Sequence, residues 1–160
     1  MKNYNNETDR YVYFWNGPFS NFWKTNIKIK DLEFSSSEQA FMFMKAKMFD
    51  PSLSDKILNT SNPKEAKRLG RLVKNYNEEK WNSVRYEIMK KILFLKFSQN
   101  EKLKEILLAT KDKKLVEGSP YDRIWGVGIH FTDELIYNES NWKGKNLLGK
   151  ALMEVRDELK

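Results

Sequence analysis

The sequence predicts an α+β domain, mostly helical with a few short strands, and three observations carry that expectation. Apolar residues recur every three or four positions through several stretches, the longest over 78–98. Short aromatic or β-branched runs occur near the N-terminus and near residue 115. Capping and turn residues punctuate the stretches between. No repeat or linker divides the chain, so a compact single domain is expected.

In chain order, residues 1–10 are polar and read as a flexible lead-in, leaving 11–160 as the domain proper. Tyr11–Trp15 reads as a strand, followed by the turn signal Asn16-Gly17-Pro18. Ile27 and Ile29 alternate with lysines, and Leu32 and Phe34 follow Asp31, as in a short hairpin with one buried face. Ser35 and Glu38 fit an S-x-x-E capping box. Ala40, Phe41, Met44 and Met48 recur behind them, which predicts a helix over 36–49. Asp50-Pro51 ends it. A short helix fits 52–59, and Pro63 suits the first position of another that Gly70 closes. Trp81, Val84, Ile88, Ile92 and Leu95 make one stripe on the helix 78–98. Leu103, Ile106 and Leu107 mark a further helix, and Leu115-Val116 a strand. The stretch 118–145 is rich in turn formers and aromatics. Leu147, Leu148, Ala151, Leu152 and Val155 give a last amphipathic helix.

A length of 160 residues fits one domain. A composition of 40% hydrophobic, 14% aromatic and 32% charged residues is globular. Twenty-nine Lys+Arg stand against 22 Asp+Glu, a net +7. That field favours anionic partners such as phosphorylated metabolites, nucleotides or nucleic acid, although a solvated lysine-rich surface has the same composition. The absence of cysteine excludes disulfides, thiolate chemistry and cysteine-ligated zinc. With His130 the one histidine, no metal site and no cofactor are expected. The N-terminus lacks an apolar signal core, and no apolar run approaches the ~20 residues that span a bilayer. The expectation is a cytoplasmic protein with no membrane partner.

Carboxylates, lysines, hydroxyls and tyrosines are then the available catalysts. On a helix over 36–49, Lys45 lies nearly two turns beyond Glu38 on about the same face, with Cα atoms roughly 10 Å apart. That gap suits the two ends of one ligand. On spacing alone, Glu38 reads first as the reciprocal member of the capping box. The loop Ser119-Pro-Tyr-Asp-Arg-Ile-Trp-Gly-Val-Gly128 sets a carboxylate, Asp122, three residues from an indole, Trp125. Such a pair can stack a heterocycle and stabilise positive charge beside it. Gly126 and Gly128 permit close backbone approach. The plainer reading is a surface loop with Asp122 in a turn and Trp125 in the core. Trp81, Arg85 and Arg71 read first as a core residue and two solvated cations, although arginines also suit bidentate phosphate contact. Phe19, Ser20 and Asn21 could frame a base or ribose, or form a packed turn.

Taken together and in order, Gly-Pro-Phe-Ser-Asn-Phe (17–22), Ser-Ser-Glu-Gln-Ala-Phe-Met-Phe-Met-Lys-Ala-Lys-Met-Phe (36–49), Ala-Lys-Arg-Leu-Gly-Arg (66–71), Trp81, Lys-Phe (96–97), the loop 119–128 and Gly-Lys-Asn-Leu-Leu-Gly-Lys-Ala-Leu-Met-Glu-Val-Arg (144–156) resemble the NADAR family, also called YbiA-like. The resemblance runs from about residue 12 to 157. It implies a mostly helical α+β fold. It also implies hydrolysis of the N-glycosidic bond in phosphoribosylaminopyrimidines, early intermediates of riboflavin synthesis. Other members remove ADP-ribose from modified guanine in nucleic acid. Glu38 matches the family's catalytic glutamate. Trp81, Asp122 and Trp125 match pocket positions, and Lys45 and Arg71 match basic positions that could hold phosphate. His130 matches a histidine in some members and a serine in many. The segment from Phe131 to Trp142 is longer than in the family's namesake, which bears on substrate choice.

The resemblance thus implies an N-glycosidase with Glu38 as leading carboxylate and Asp122 as the second, both serving one anomeric carbon. Its partner is a phosphorylated ribosyl small molecule. Two alternatives stand beside it: a glycohydrolase acting on ADP-ribosylated nucleic acid, and a non-catalytic ADP-ribose or nucleotide-binding module.

Overall fold

The computed structural model describes residues 4–160. Its elements, in order, are β1 (Asn5–Glu7), β2 (Tyr11–Phe14), β3 (Ile27–Ile29), β4 (Leu32–Phe34), α1 (Ser37–Phe49), α2 (Pro51–Leu58), α3 (Pro63–Gly70), α4 (Glu78–Ser98), α5 (Glu101–Leu108), β5 (Lys114–Glu117) and α6 (Leu147–Glu158). This is the helix-rich α+β class that the sequence predicts. The chain divides into two units, one formed by the segments up to Ser20 and from Lys102 onward, the other by Asn21–Glu101.

In the first unit β2 is the middle strand of three, antiparallel to β1 and parallel to β5. Val12, Tyr13 and Phe14 are all buried, as expected for a strand covered on both faces. β1 lies within the stretch read as a flexible lead-in. Its polar residues give no alternation to read, and pairing Asn6 opposite Tyr13 makes it a strand. The part of that reading on residues 1–3 lies outside the described residues. α6 packs on β5. Tyr13, Val116, Val127, Ile129 and Ile136 form a core against which Tyr11, Phe131 and Trp142 pack. The turn-rich stretch 118–145 therefore supplies three core residues. It holds two short 3-10 helices, Glu134–Tyr137 and Glu139–Asn141.

Asn146 joins these parts. It stands in the left-handed region at φ 54 before α6, a conformation that asparagine tolerates better than most residues. Its side chain accepts from Glu117 N at 3.0 Å and donates to Leu115 O at 3.0 Å, while its own N–H reaches Gly126 O at 3.1 Å.

In the second unit β3 and β4 form the expected hairpin, Ile27 opposite Phe34. α1 packs against α2, α3 and α4. Every residue from Ser37 to Phe43 is buried, so α1 has no single wet face at its start. The expected stripe is only half right. Ala40 and Phe41 are buried, but Met44 and Met48 are partly exposed while Met42, Phe43, Ala46 and Phe49 are buried. Gly70 ends α3 as expected, but not through a left-handed cap. A Cβ there would lie 2.1 Å from Met42 Sδ, so glycine serves the close approach of α3 to α1.

α4 has the predicted span; Trp81 and Ile92 of the expected stripe are buried, while Val84, Ile88 and Leu95 are partly exposed and Met89, Leu93, Lys96 and Phe97 are buried instead. Lys96 is fully buried, and burial pushes its ammonium down to about 7. An unfolded lysine keeps its proton to about pH 10.4. Between about pH 7 and 10, the unfolded chain therefore binds more protons than the native one, and this residue makes stability rise with pH. Relative to the wild type, Lys96→Met is expected to be more stable at pH 6 than at pH 9. Urea unfolding at the two pH values measures this. A gain that does not change with pH would refute it.

Candidate active site

The start of α1 is built by two neutral side chains. Ser36 is the N-cap, its hydroxyl accepting from Gln39 N at 3.1 Å. Gln39 Oε1 accepts from Ser35 N at 2.7 Å and from Ser35 Oγ at 3.1 Å. Its Nε2 donates to the carbonyls of Ile57, Leu58 and Thr60 at 3.1, 3.0 and 2.6 Å. The N-cap is thus Ser36, one residue beyond the predicted Ser35, and it is Gln39 that reaches back, to Ser35 before the cap. Glu38 occupies the second helical position and is 8% exposed. Its N–H donates to Asn21 O at 2.9 Å, and Ser37 Oγ donates to Asn21 Oδ1 at 2.8 Å. Asn21 is buried and tied to the helix start. The positive end of the helix dipole favours an ionised carboxylate there.

Lys45 lies on the same helix. Its ammonium donates to Gly70 O at 2.9 Å and lies 4.7 Å from the centre of the Tyr76 ring. Burial holds its pKa below the ordinary lysine value, and the negative charge of Glu38 pulls it partly back up. The structure therefore brings Glu38 and Lys45 into electrostatic reach, as the spacing predicts. Arg71 is exposed at the C-cap of α3. Trp81 is 5% exposed, its ring 5.0 Å from Phe41 and 6.3 Å from Phe49. That is core packing, the plainer of the two sequence readings.

The remaining candidates belong to the other unit. Asp122 Oδ1 accepts from Ile124 N at 2.9 Å and Trp125 N at 2.8 Å, closing the loop 122–125. Trp125 is half-buried, and its carbonyl accepts from Leu148 N. A Cβ on Gly126 would meet Glu117 Oε2 at 3.1 Å and the carbonyls of Asp122 and Glu117 at 3.0 Å. Gly128 has φ +73, the conformation that favours glycine. His130 is half-buried and edge-on to Trp15 at 5.2 Å. Its Nδ1 accepts from Thr132 N at 3.2 Å, so the ring proton is assigned to Nε2. Phe19 packs on Phe14 at 5.5 Å, and Ser20 N–H closes a turn onto Gly17 O. These two form a packed turn.

Sequence reasoning passed over Gln39, Tyr76 and Trp15. Gln39 had a signal, because Ser36-x-x-Gln39 fits the same box; Tyr76 and Trp15 had none. Two recesses, of 370 and 680 Å³, are lined around Gln39 and Thr60 and around Arg10 and Lys113 respectively, and neither carboxylate lines them. Among the described residues, no three His, Cys, Asp or Glu side chains gather to hold a metal ion, and no helix is long and apolar enough to cross a membrane.

The family model described as the NADAR domain matches residues 8–160. An N-glycosidase of Acanthamoeba polyphaga mimivirus is 39% identical, with 95% of this chain and 98% of the relative covered. N-glycosidase YbiA of Escherichia coli is 37% identical, with 89% and 81% covered. The NMR structure of the E. coli protein YbiA superposes with a TM-score of 0.79 at 34% identity, over 98% of this chain and 88% of that one.

The coupling between Glu38 and Lys45 has a direct consequence. Glu38→Gln removes the charge that holds the Lys45 pKa up, so that pKa is expected to fall further below the ordinary lysine value. NMR titration of the Lys45 side chain measures it. An unchanged midpoint would show that the two groups do not interact.

Proposed function

This chain belongs to the NADAR domain family and is an N-glycosyl hydrolase, and from that premise we propose that it cleaves the ribosyl C1′–N bond of phosphoribosylaminopyrimidines, intermediates of riboflavin synthesis. The observation that carries the reading is Glu38: a carboxylate 8% exposed at a helix start whose capping is done by Ser36 and Gln39. A buried carboxylate beside a charge partner is a candidate functional group, and the Lys45 ammonium is such a partner here.

Departure of the base builds positive charge on the ribose ring, in an oxocarbenium-like transition state. Glu38 is the leading carboxylate and Asp122 the second. One deprotonates the attacking water or stabilises the ring charge, and the other protonates the departing nitrogen or binds the ribose hydroxyls. Water adds to C1′, the C1′–N bond breaks, and the products are the free sugar phosphate and the amino heterocycle. Lys45 and Arg71 pair with phosphate. Trp125, with Gly126 and Gly128 beside it, borders the base, and Asn21 and His130 complete the substrate surroundings, while Phe19, Ser20 and Trp81, packed in the interior, act only by support.

A second reading has its own support. Sixteen lysines and arginines stand against ten acidic residues between 21 and 101, the unit that carries Glu38 and Lys45. That excess suits a substrate with additional phosphates, such as ADP-ribosylated guanine in nucleic acid. Incubation with each substrate separates the two, by release of sugar phosphate or of ADP-ribose. On the polymer, activity should fall steeply from low to moderate salt, whereas a small metabolite is less sensitive. Turnover of neither leaves the non-catalytic binding module.

Glu38→Gln is expected to lose at least ~100-fold in rate while the protein still folds. Near-wild-type turnover removes Glu38 from the mechanism. Asp122→Asn keeps an Oδ1 acceptor for Ile124 and Trp125 and removes only the charge. A similar ~100-fold loss is expected, and full activity would reduce Asp122 to a loop-closing residue.

A further inference from the structure

The loop that carries Asp122 also carries Tyr121, whose side chain is left in water. Tyr121 is 85% exposed, the most exposed large hydrophobic side chain among the described residues. On a loose loop such a side chain would mean little. This loop is held. Tyr121 N–H donates to Ser119 Oγ at 3.2 Å, Asp122 Oδ1 takes the next turn, and the Arg123 and Ile124 carbonyls accept from Lys145 N and Leu147 N at 2.9 and 3.2 Å.

Tyr121 ends a row of rings. Its ring centre is 5.8 Å from Trp15 at 54°, Trp15 is edge-on to His130 at 5.2 Å and 82°, and His130 tilts on Phe131 at 4.8 Å. His130 is fixed in turn by Thr132 through Nδ1. The inner members of the row are half-buried, while Tyr121 presents its ring to solvent. The row has no lysine or arginine, so it offers phosphate no fixed cation. Pre-positioned π-faces suit a flat nitrogen heterocycle, and stacking tolerates any base because each has such a face.

We propose that Tyr121, backed by Trp15, is the stacking surface for the departing heterocycle, and that it sets the preference for aromatic over non-aromatic leaving groups. The proposal rests on the glycosidase reading and deepens it. Trp81 cannot serve this purpose in the structure described, because Phe41 and Phe49 pack against it in the core. Tyr121 contributes to binding, not to bond cleavage, so its effect falls on KM.

The test is steady-state hydrolysis of a phosphoribosylaminopyrimidine by the wild type, Tyr121→Ala and Tyr121→Phe. Loss of one stacking ring is expected to raise KM about tenfold in Tyr121→Ala with kcat within about twofold, and Tyr121→Phe should match the wild type. A KM within twofold of wild type in Tyr121→Ala overturns the proposal. So does a Tyr121→Phe variant as impaired as Tyr121→Ala. If the wild type does not hydrolyse the substrate, the glycosidase reading fails on this compound, and calorimetric titration with the free aminopyrimidine judges the surface by itself. Tenfold weaker binding in Tyr121→Ala supports it. Equal affinity, or no binding to the wild type, overturns it.

Discussion

Gln39 has one acceptor oxygen and one amide nitrogen, and both are fully engaged: the oxygen takes Ser35, and the nitrogen reaches the carbonyls of Ile57, Leu58 and Thr60. At 3% exposure, the Gln39 amide has little water to turn to instead. A satisfied buried hydrogen bond contributes about 1 kcal/mol, but an orphaned partner costs roughly 1–3 kcal/mol. The network therefore holds mainly by penalising every other arrangement. It fastens the end of α2 and the residues after it to the first turn of α1. Glu38 sits beside Gln39 in that turn, so the network fixes the backbone from which its carboxylate projects.

The other unit solves a similar problem with Asn146 and Asp122. A long irregular segment must expose or satisfy its backbone polar groups. Asn146 pairs with both Leu115 and Glu117 on β5, and Asp122 gathers two loop N–H groups with one oxygen. Gly126 lies between them, where a side chain would strike Glu117. With the backbone held this way, Val127, Ile129 and Ile136 can enter the core although they belong to no regular element longer than a single 3-10 turn. The same backbone holds Tyr121 out in solvent.

What the sequence could disclose follows from these constraints. Elements were legible wherever periodicity or punctuation was local: α4 and the β3–β4 hairpin emerge as read, and Pro63 opens α3. Phase was not legible where burial surrounds a helix. α1 is enclosed from Ser37 to Phe43, so almost any apolar subset fits a stripe, and Met44 and Met48 were as plausible as Met42 and Phe43. The capping register was ambiguous because Ser35-x-x-Glu38 and Ser36-x-x-Gln39 satisfy one pattern. The acceptors that decide between them, at 57–60, lie some twenty residues away in the chain. β1 was invisible because pairing, not composition, makes it a strand. Among the candidate residues, the link between Glu38 and Lys45 could be read from helical spacing and the enclosure of Trp81 from its place on the α4 stripe, whereas the exposure of Tyr121 could not.

Lys45 bears on how phosphate would be held. An ammonium has three N–H donors, and one is spent on Gly70 O while Tyr76 covers part of the group. Burial already disfavours its charge, and Glu38 restores part of it. A phosphate arriving there would add a second negative partner to an ammonium already drawn to one, and would compete with a neutral carbonyl for its donors. Arg71 has no such commitments: it is exposed at the end of the same helix that supplies Gly70, and its planar fork matches phosphate oxygens in pairs. Arg71 is thus suited to capture phosphate from solvent. Lys45 is suited to fix it once water has been displaced, because its charge counts for more in a poorly hydrated setting. In the proposed function the two basic residues would act in sequence on one anion, and the carbonyl of Gly70, adjacent in sequence to Arg71, is the contact that Lys45 would exchange for it.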